Sequence, residues 1–147
     1  MRARIWLILI SRTISPILIR GLSLSYSIYE SAITINLNSK NISLGIDSAV
    51  ICGLIINELI SNSFKHAFPD GKGGDVYVSL QLIDKEVELV VRDNGKGIPQ
   101  NMDISHPSTL GLRMVTSLIK NQLKGKMEIK REKGTEVKIR FGDSGKK

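Results

Sequence analysis

The stretch Asn57-Glu58-Leu59-Ile60-Ser61-Asn62-Ser63-Phe64-Lys65-His66-Ala67-Phe68 places a carboxylate, an amide and cationic side chains three and four residues apart. On a helix those intervals share a face, so Glu58, Asn62 and Lys65 or His66 form one polar stripe on an otherwise apolar surface. A solvated outer face explains such a stripe as readily as chemistry does. The residue types tilt the balance toward a divalent metal and the phosphates it bridges. Asn62 supplies a neutral carbonyl oxygen suited to Mg2+, which keeps several waters and takes few protein ligands beside phosphate. Glu58, one turn earlier, can orient or deprotonate a water or hydroxyl near the metal. Lys65 can offset phosphate charge.

A second group is Val90-Val91-Arg92-Asp93-Asn94-Gly95-Lys96-Gly97-Ile98-Pro99. Asn-Gly after an alternating run is a common hairpin signal, but the chain beyond it wanders through Gly97, Pro99 and Pro107 instead of resuming a strand. An aspartate at a strand end can accept from the exocyclic amine of adenine, and the glycines after it remove side chains that would block a flat ring. A third group, Ser108-Thr109-Leu110-Gly111-Leu112-Arg113-Met114-Val115, leads a loop into a helix. The unpaired amides of a helix start favour phosphate oxygens, although a Thr cap followed by Gly opens many helices. Neither GxxxxGK[ST] nor GxGxxG is present.

The elements that must hold these groups follow from the hydrophobic pattern. Ala32 to Leu37 alternates as a half-buried strand, and Ile42 to Ile46 reads as a second short strand after a turn at Asn38–Asn41. Asp47 and Ser48 are suitable caps for a helix running to about Ala67, with Val50, Ile51, Leu54, Ile55, Leu59 and Phe64 mainly facing the core. Pro69, Asp70, Gly71, Gly73 and Gly74 break it. Asp75 to Ile83 and Glu86 to Arg92 read as an antiparallel hairpin across Asp84-Lys85. A second helix spans about Leu110 to Gln122, and strands at Lys126–Arg131 and Glu136–Phe141 close the chain around Lys133-Gly134. This order predicts an α+β two-layer sandwich, a mixed and mostly antiparallel sheet with helices on one face.

The chain's 147 residues and 41% hydrophobic content suit one globular domain at about 25–142, preceded by a hydrophobic segment, 1–24, and followed by a basic tail, 143–147. The net charge of +7 suggests nucleic acid, but ten of the 21 basic residues lie from Lys120 onward among Glu128, Glu132, Glu136 and Asp143, with few aromatics for base stacking. That pattern predicts a solvated, basic-leaning sheet face and no nucleic-acid partner. Arg12, Pro16 and Arg20 interrupt the N-terminal apolar run, which falls short of the roughly 18 to 20 residues of a spanning helix. Packing of 1–24 on the domain, a partner or a membrane surface stays open. The single cysteine, Cys52, cannot form an internal disulfide, which predicts a reducing, cytoplasmic setting.

In order and spacing the three groups are more specific than any one of them, with 31 residues from Asn62 to Asp93 and 18 from Asp93 to Gly111. Over about Ser31 to Phe141 the chain resembles the ATP-binding catalytic domain of sensor histidine kinases, in the superfamily of type II topoisomerase ATPases, ninety-kilodalton heat-shock chaperones and mismatch-repair ATPases. NELISNSFKHAF resembles the N box, DNGKGIP the first glycine box and TLGLRMV the second. HAFPDGKGG and the compact segment from Pro99 to Thr109 look most like a histidine-kinase subgroup without the phenylalanine-rich box. The resemblance implies the Bergerat-type fold, ATP and Mg2+ as ligands, Asn62 on the metal and Asp93 on adenine. It implies that Gly95, Gly97 and Gly111 shape the pocket and its lid, and that Thr135 assists Asp93. His66, Ile98, Thr109, Leu110 and Leu112, within these boxes, would complete the nucleotide site, with Glu58 and Lys65 as catalytic groups.

A complete histidine kinase also carries a phosphoacceptor histidine on a two-helix dimerisation hairpin. Here His66 falls in the N box and His106 in the lid. The resemblance therefore implies an acceptor domain elsewhere, which would also supply any oligomerisation, with a response regulator downstream. Glu58 keeps a water-directed ATPase clamp open, and a serine kinase or a non-catalytic binding module are further alternatives. Polar residues with few core anchors make Gln100 to Thr109 the expected mobile lid. Amide exchange there should slow when ATP is added; exchange unaffected by nucleotide would count against a lid.

Overall fold

The computed structural model describes residues 33–39, 44–63, 74–96 and 110–142. The two alternating runs around Asp84-Lys85 pair as strands β2 (Gly74–Ile83) and β3 (Glu86–Asp93), with Ile83 opposite Glu86. Asp84 and Lys85 have φ of 49° and 68°. Two successive left-handed residues are what a two-residue turn needs to match strand twist. β1 (Ile33–Ser39) runs parallel to β2 on its other side. At the far end, β4 (Lys126–Lys130) and β5 (Thr135–Phe141) form a second hairpin through the left-handed Lys133 and Gly134. β5 pairs antiparallel with β3, which gives the order β1-β2-β3-β5-β4. The expected mixed, mostly antiparallel sheet is present, and Asn38 and Ser39 belong to β1 instead of a turn.

Helix α1 (Ile46–Asn62) and helix α2 (Leu110–Ser117), which continues as a π-helical segment Leu118–Leu123, carry apolar residues that join one buried cluster with the sheet. Ile55, Val115, Leu89, Ile139 and Phe141 are fully buried in it. Each large side chain so buried contributes roughly 1.5–3 kcal/mol relative to exposure. Cys52 is buried among them and forms no disulfide. The π-helical segment brings Ile119 and Leu123 onto the core. It ends at the left-handed Lys124, after which the Gly125 N–H bonds the Ile119 carbonyl at 2.9 Å. A Cβ at Gly125 would press on the Arg140 carbonyl, so only glycine lets the chain cross β5 there.

Three expectations need correction around α1. Ile46 opens the helix and Leu44–Gly45 lie outside any strand, so no strand reaches Ile46. Gly45 is the N-cap, without a side-chain capping bond, in place of Asp47 or Ser48. Its carbonyl accepts the Ala49 N–H at 2.9 Å, and Asp47 sits instead in the first turn, where a negative charge favours the helix dipole. Val50 and Leu54 are nearly half exposed, whereas Ala49, Cys52, Ile55, Leu59 and Ile60 take the core positions. The helix presents its 49-52-55-59 stripe to the sheet, which turns residues 50 and 54 away. Phe64 to Ala67 lie outside the described residues.

The outer face of β4 and β5 is polar. On β4 and β5, Lys126, Glu128, Lys130, Glu136, Lys138 and Arg140 alternate with core residues, four basic against two acidic, as the sequence suggested. Glu88 on β3 is buried within this layer: Arg140 donates from Nε at 2.9 Å and pairs through Nη2 at 2.8 Å, and Gln81 donates at 3.2 Å. Burial pushes the Glu88 carboxyl up, but the hydrogen bonds from Arg140 and Gln81 and the charges of Arg140 and Lys138 outweigh it, so its pKa lies below the ordinary carboxylate value. A lowered native pKa adds stability above the unfolded-state value, about 4.3, and loses it as pH falls through the native value. The urea midpoint should therefore fall as pH drops below about 5. Glu88→Gln should flatten that dependence; an unchanged acid profile would mean that other carboxylates carry it.

Candidate functional site

At the C-terminal end of β3, Asp93 is 5% exposed. A carboxylate this buried is tolerated only when hydrogen-bonded, and three donors reach it from three parts of the chain. The Gly95 N–H donates to Oδ1 at 3.1 Å, the Thr135 N–H donates to Oδ1 at 3.2 Å, and the Ser63 hydroxyl reaches Oδ2 at 3.1 Å. The sheet register explains the second contact, because Asp93 and Thr135 are opposite each other in the β3–β5 pair. The residue before it, Gly134, has φ of 106°, and a Cβ there would collide with the Asp93 carbonyl. Thr135, expected to assist Asp93, contributes its backbone N–H.

A carboxylate offers about four lone-pair positions. Among the described residues two on Oδ1 and one on Oδ2 are filled, which leaves an acceptor on Oδ2 beside Ser63. The turn that follows is anchored to β2: Asn94 donates its backbone N–H to the Asp75 carbonyl at 3.2 Å, its Oδ1 accepts the Asp75 N–H at 2.8 Å, and its Nδ2 donates to the Asp75 carboxylate at 3.2 Å. These bonds fix the direction in which Gly95 presents its N–H.

The last turn of α1 enters the same region. Asn62 is its final residue, half-buried, and Ser63 directly follows it. One turn back, the Glu58 carboxylate lies against Gly111, the second residue of α2, in the space a Cβ would occupy. The two motifs 53 residues apart thus meet, and the carboxylate sits by the positive end of the α2 dipole, where negative charge is favoured. Leu112 packs against the core, and Leu110 opens the helix. Lys65, His66, Gly97, Ile98, Thr109 and the 100–109 segment lie outside the described residues. Among the described residues no cluster of three metal-ligating side chains occurs, and no helix is long and apolar enough to cross a membrane. A Mg2+ ion held mainly by phosphate and water would need few protein ligands, and the Asn62 amide carries an oxygen of the kind it would accept.

Ser63 was not singled out from the sequence. Its signal lies in the periodicity: on the buried stripe 52-55-59 the next position is 63, and a polar residue there requires a buried partner. Asn94 falls within DNGKGIP, and nothing in that segment points to its bonds with Asp75.

Residues 48–144 match the family of histidine kinase-, DNA gyrase B- and HSP90-like ATPases, and the chain belongs to that family. Sensor histidine kinase PdtaS of Mycobacterium tuberculosis (strain ATCC 25618 / H37Rv) is 33% identical over 97 residues, 64% of this chain and 19% of that protein. Blue-light-activated histidine kinase 2 of Erythrobacter litoralis (strain HTCC2594) is 30% identical over 91 residues, 61% of this chain and 26% of that protein. The solved Erythrobacter litoralis EL346 blue-light activated histidine kinase superposes with a TM-score of 0.75 at 25% identity, covering 88% of this chain and 40% of that one. The chain spans about a fifth to a quarter of the length of these curated relatives.

The Glu58–Gly111 contact is directly testable. Gly111→Ala should destabilise the domain by about 1–3 kcal/mol, the usual range for overpacking. Combining it with Glu58→Ala should recover most of that loss in a urea double-mutant cycle; additive losses would place the two residues apart.

Proposed function

We propose that this chain is an ATP- and Mg2+-binding catalytic domain of the histidine-kinase type, which passes the γ-phosphoryl group of ATP to a histidine on another domain or chain. The observation that carries this reading is the buried Asp93 carboxylate, fixed among the described residues by three donors that leave one acceptor position on Oδ2. An exocyclic amine fits that position, and Gly95 leaves no side chain over the ring. Asn62, next to the Asp93 partner Ser63, is the metal ligand in this reading. Mg2+, when bound, would neutralise charge on the transferring phosphoryl group. Glu58, against the start of α2, is the group to take a proton from whatever attacks the γ-phosphate. Lys65, His66, Gly97, Ile98 and Thr109 keep the roles that the resemblance implies.

The names of the relatives support the kinase half of the proposal, since both are histidine kinases. The acceptor histidine domain and a response regulator are the partners this reading requires. A cytoplasmic location accords with ATP as substrate and with a buried Cys52 that forms no disulfide. The position of Glu58 also favours a second reading, hydrolysis, because the same carboxylate can activate water.

Incubation with γ-labelled ATP and a separate dimerisation hairpin separates the two. Acid-labile phosphohistidine supports the kinase, and release of inorganic phosphate alone supports the ATPase. Asp93→Asn should weaken ATP binding by roughly 10- to 100-fold, because a hydrogen bond to a charged group contributes about 1.5–3 kcal/mol. Its amide can retain both backbone donors and turn its NH2 toward Ser63, so the thermal midpoint should change little. Unchanged affinity by calorimetry would remove Asp93 from the pocket.

A further inference from the structure

Ser63 faces two acceptors with one proton. Its Oγ lies 3.1 Å from the Leu59 carbonyl and 3.1 Å from Asp93 Oδ2, yet a hydroxyl donates once. If the proton went to Leu59, a hydroxyl lone pair would face a carboxylate lone pair inside a buried site. The charged oxygen is the stronger acceptor and takes the proton. With Gly95 and Thr135 both on Oδ1, Ser63 is the donor among the described residues that holds Oδ2. The carboxylate turns only about its Cβ–Cγ bond, and donors on both oxygens hold that torsion more closely than donors on Oδ1 alone. The remaining Oδ2 lone pair then points in one direction.

We propose that Ser63 is a positioning residue for nucleobase recognition: it aims the free lone pair of Asp93 Oδ2 at the exocyclic amine of an adenine nucleotide. The proposal rests on the ATP-binding reading above. It adds that the gain from Ser63 is realised only through the amine. Ser63 also follows Asn62 directly, so the alignment of the base reader is built into the same helix end that carries the proposed metal ligand. A hydroxyl that merely filled space or capped α1 through Leu59 would support every nucleotide equally.

A chemical double-mutant cycle on the full chain tests this. ATP and purine riboside triphosphate, which lacks the 6-amino group, are titrated into the wild type and Ser63→Ala by calorimetry. Ser63→Ala should weaken ATP by roughly 3- to 10-fold, the range of one hydrogen bond, and should weaken the amine-free analogue by less than about 2-fold. Ser63→Thr, which keeps the hydroxyl, should restore ATP affinity toward wild type. An equal loss for both nucleotides, or no loss for ATP, overturns the proposal while ATP binding by the wild type stands. A wild type that binds neither nucleotide overturns the ATP-binding reading and this proposal with it. Should Ser63→Ala fail to fold, Ser63→Cys, with its weak donor, enters the same cycle with the same outcomes.

Discussion

The candidate site closes around a buried carboxylate, Asp93. A carboxylate removed from water is costly unless its lone pairs are met, and effective penalties run to several kcal/mol. Asp93 meets this demand with donors from the end of α1, from the turn after β3 and from the start of β5. Each donor is in place only if its element is in register. A one-residue slip of β5 would move Thr135 away from Asp93 and turn Val137, Ile139 and Phe141 from the core to the outer face. Gly134 permits the close backbone approach that this register demands. The hydrophobic core sets the positions of the elements, and the carboxylate selects among the registers the core would accept.

The same geometry gathers chemistry that is scattered in sequence. α1 carries Glu58, Asn62 and Ser63 along its last turn and a half; Glu58 faces α2 at Gly111, and Ser63 faces β3 at Asp93. One rigid helix end therefore touches both the region proposed for phosphate and the region proposed for the base. Side chains on a packed helix are held more closely than side chains on a loop. In the proposed function, this would build the alignment of base and phosphate into the scaffold itself.

Much of this was legible in the residues. The strict alternation on both sides of Asp84-Lys85 gave the β2–β3 hairpin, because a period of two has few other readings. Asp93 and Gly95 stand out by type and position, Thr135 only through the resemblance, and all three meet. The order of the motifs predicts that Glu58 and Gly111 share one site, and they are in contact, although nothing in their own segments shows which atoms touch. Less visible was the start of α1. Asp47 and Ser48 have the residue types of caps, but the helix opens at Ile46 and is capped by Gly45, whose backbone suffices. Val50 and Leu54 read as core because helical periodicity tolerates a wide stripe, and only packing decides which edge of it is covered. Ser63 was hidden for the opposite reason: it is polar on the buried side, and its meaning depends on a partner 30 residues away.

The central claim, that Asp93 reads the base, is tested most directly by a crystal structure of the chain with a non-hydrolysable ATP analogue and Mg2+. The account predicts the 6-amino nitrogen within about 3.2 Å of Asp93 Oδ2, ordinary hydrogen-bond distance, with the Asn62 amide oxygen on the metal. A nucleotide bound elsewhere, or a base seated in this pocket without contact to Asp93, would contradict it.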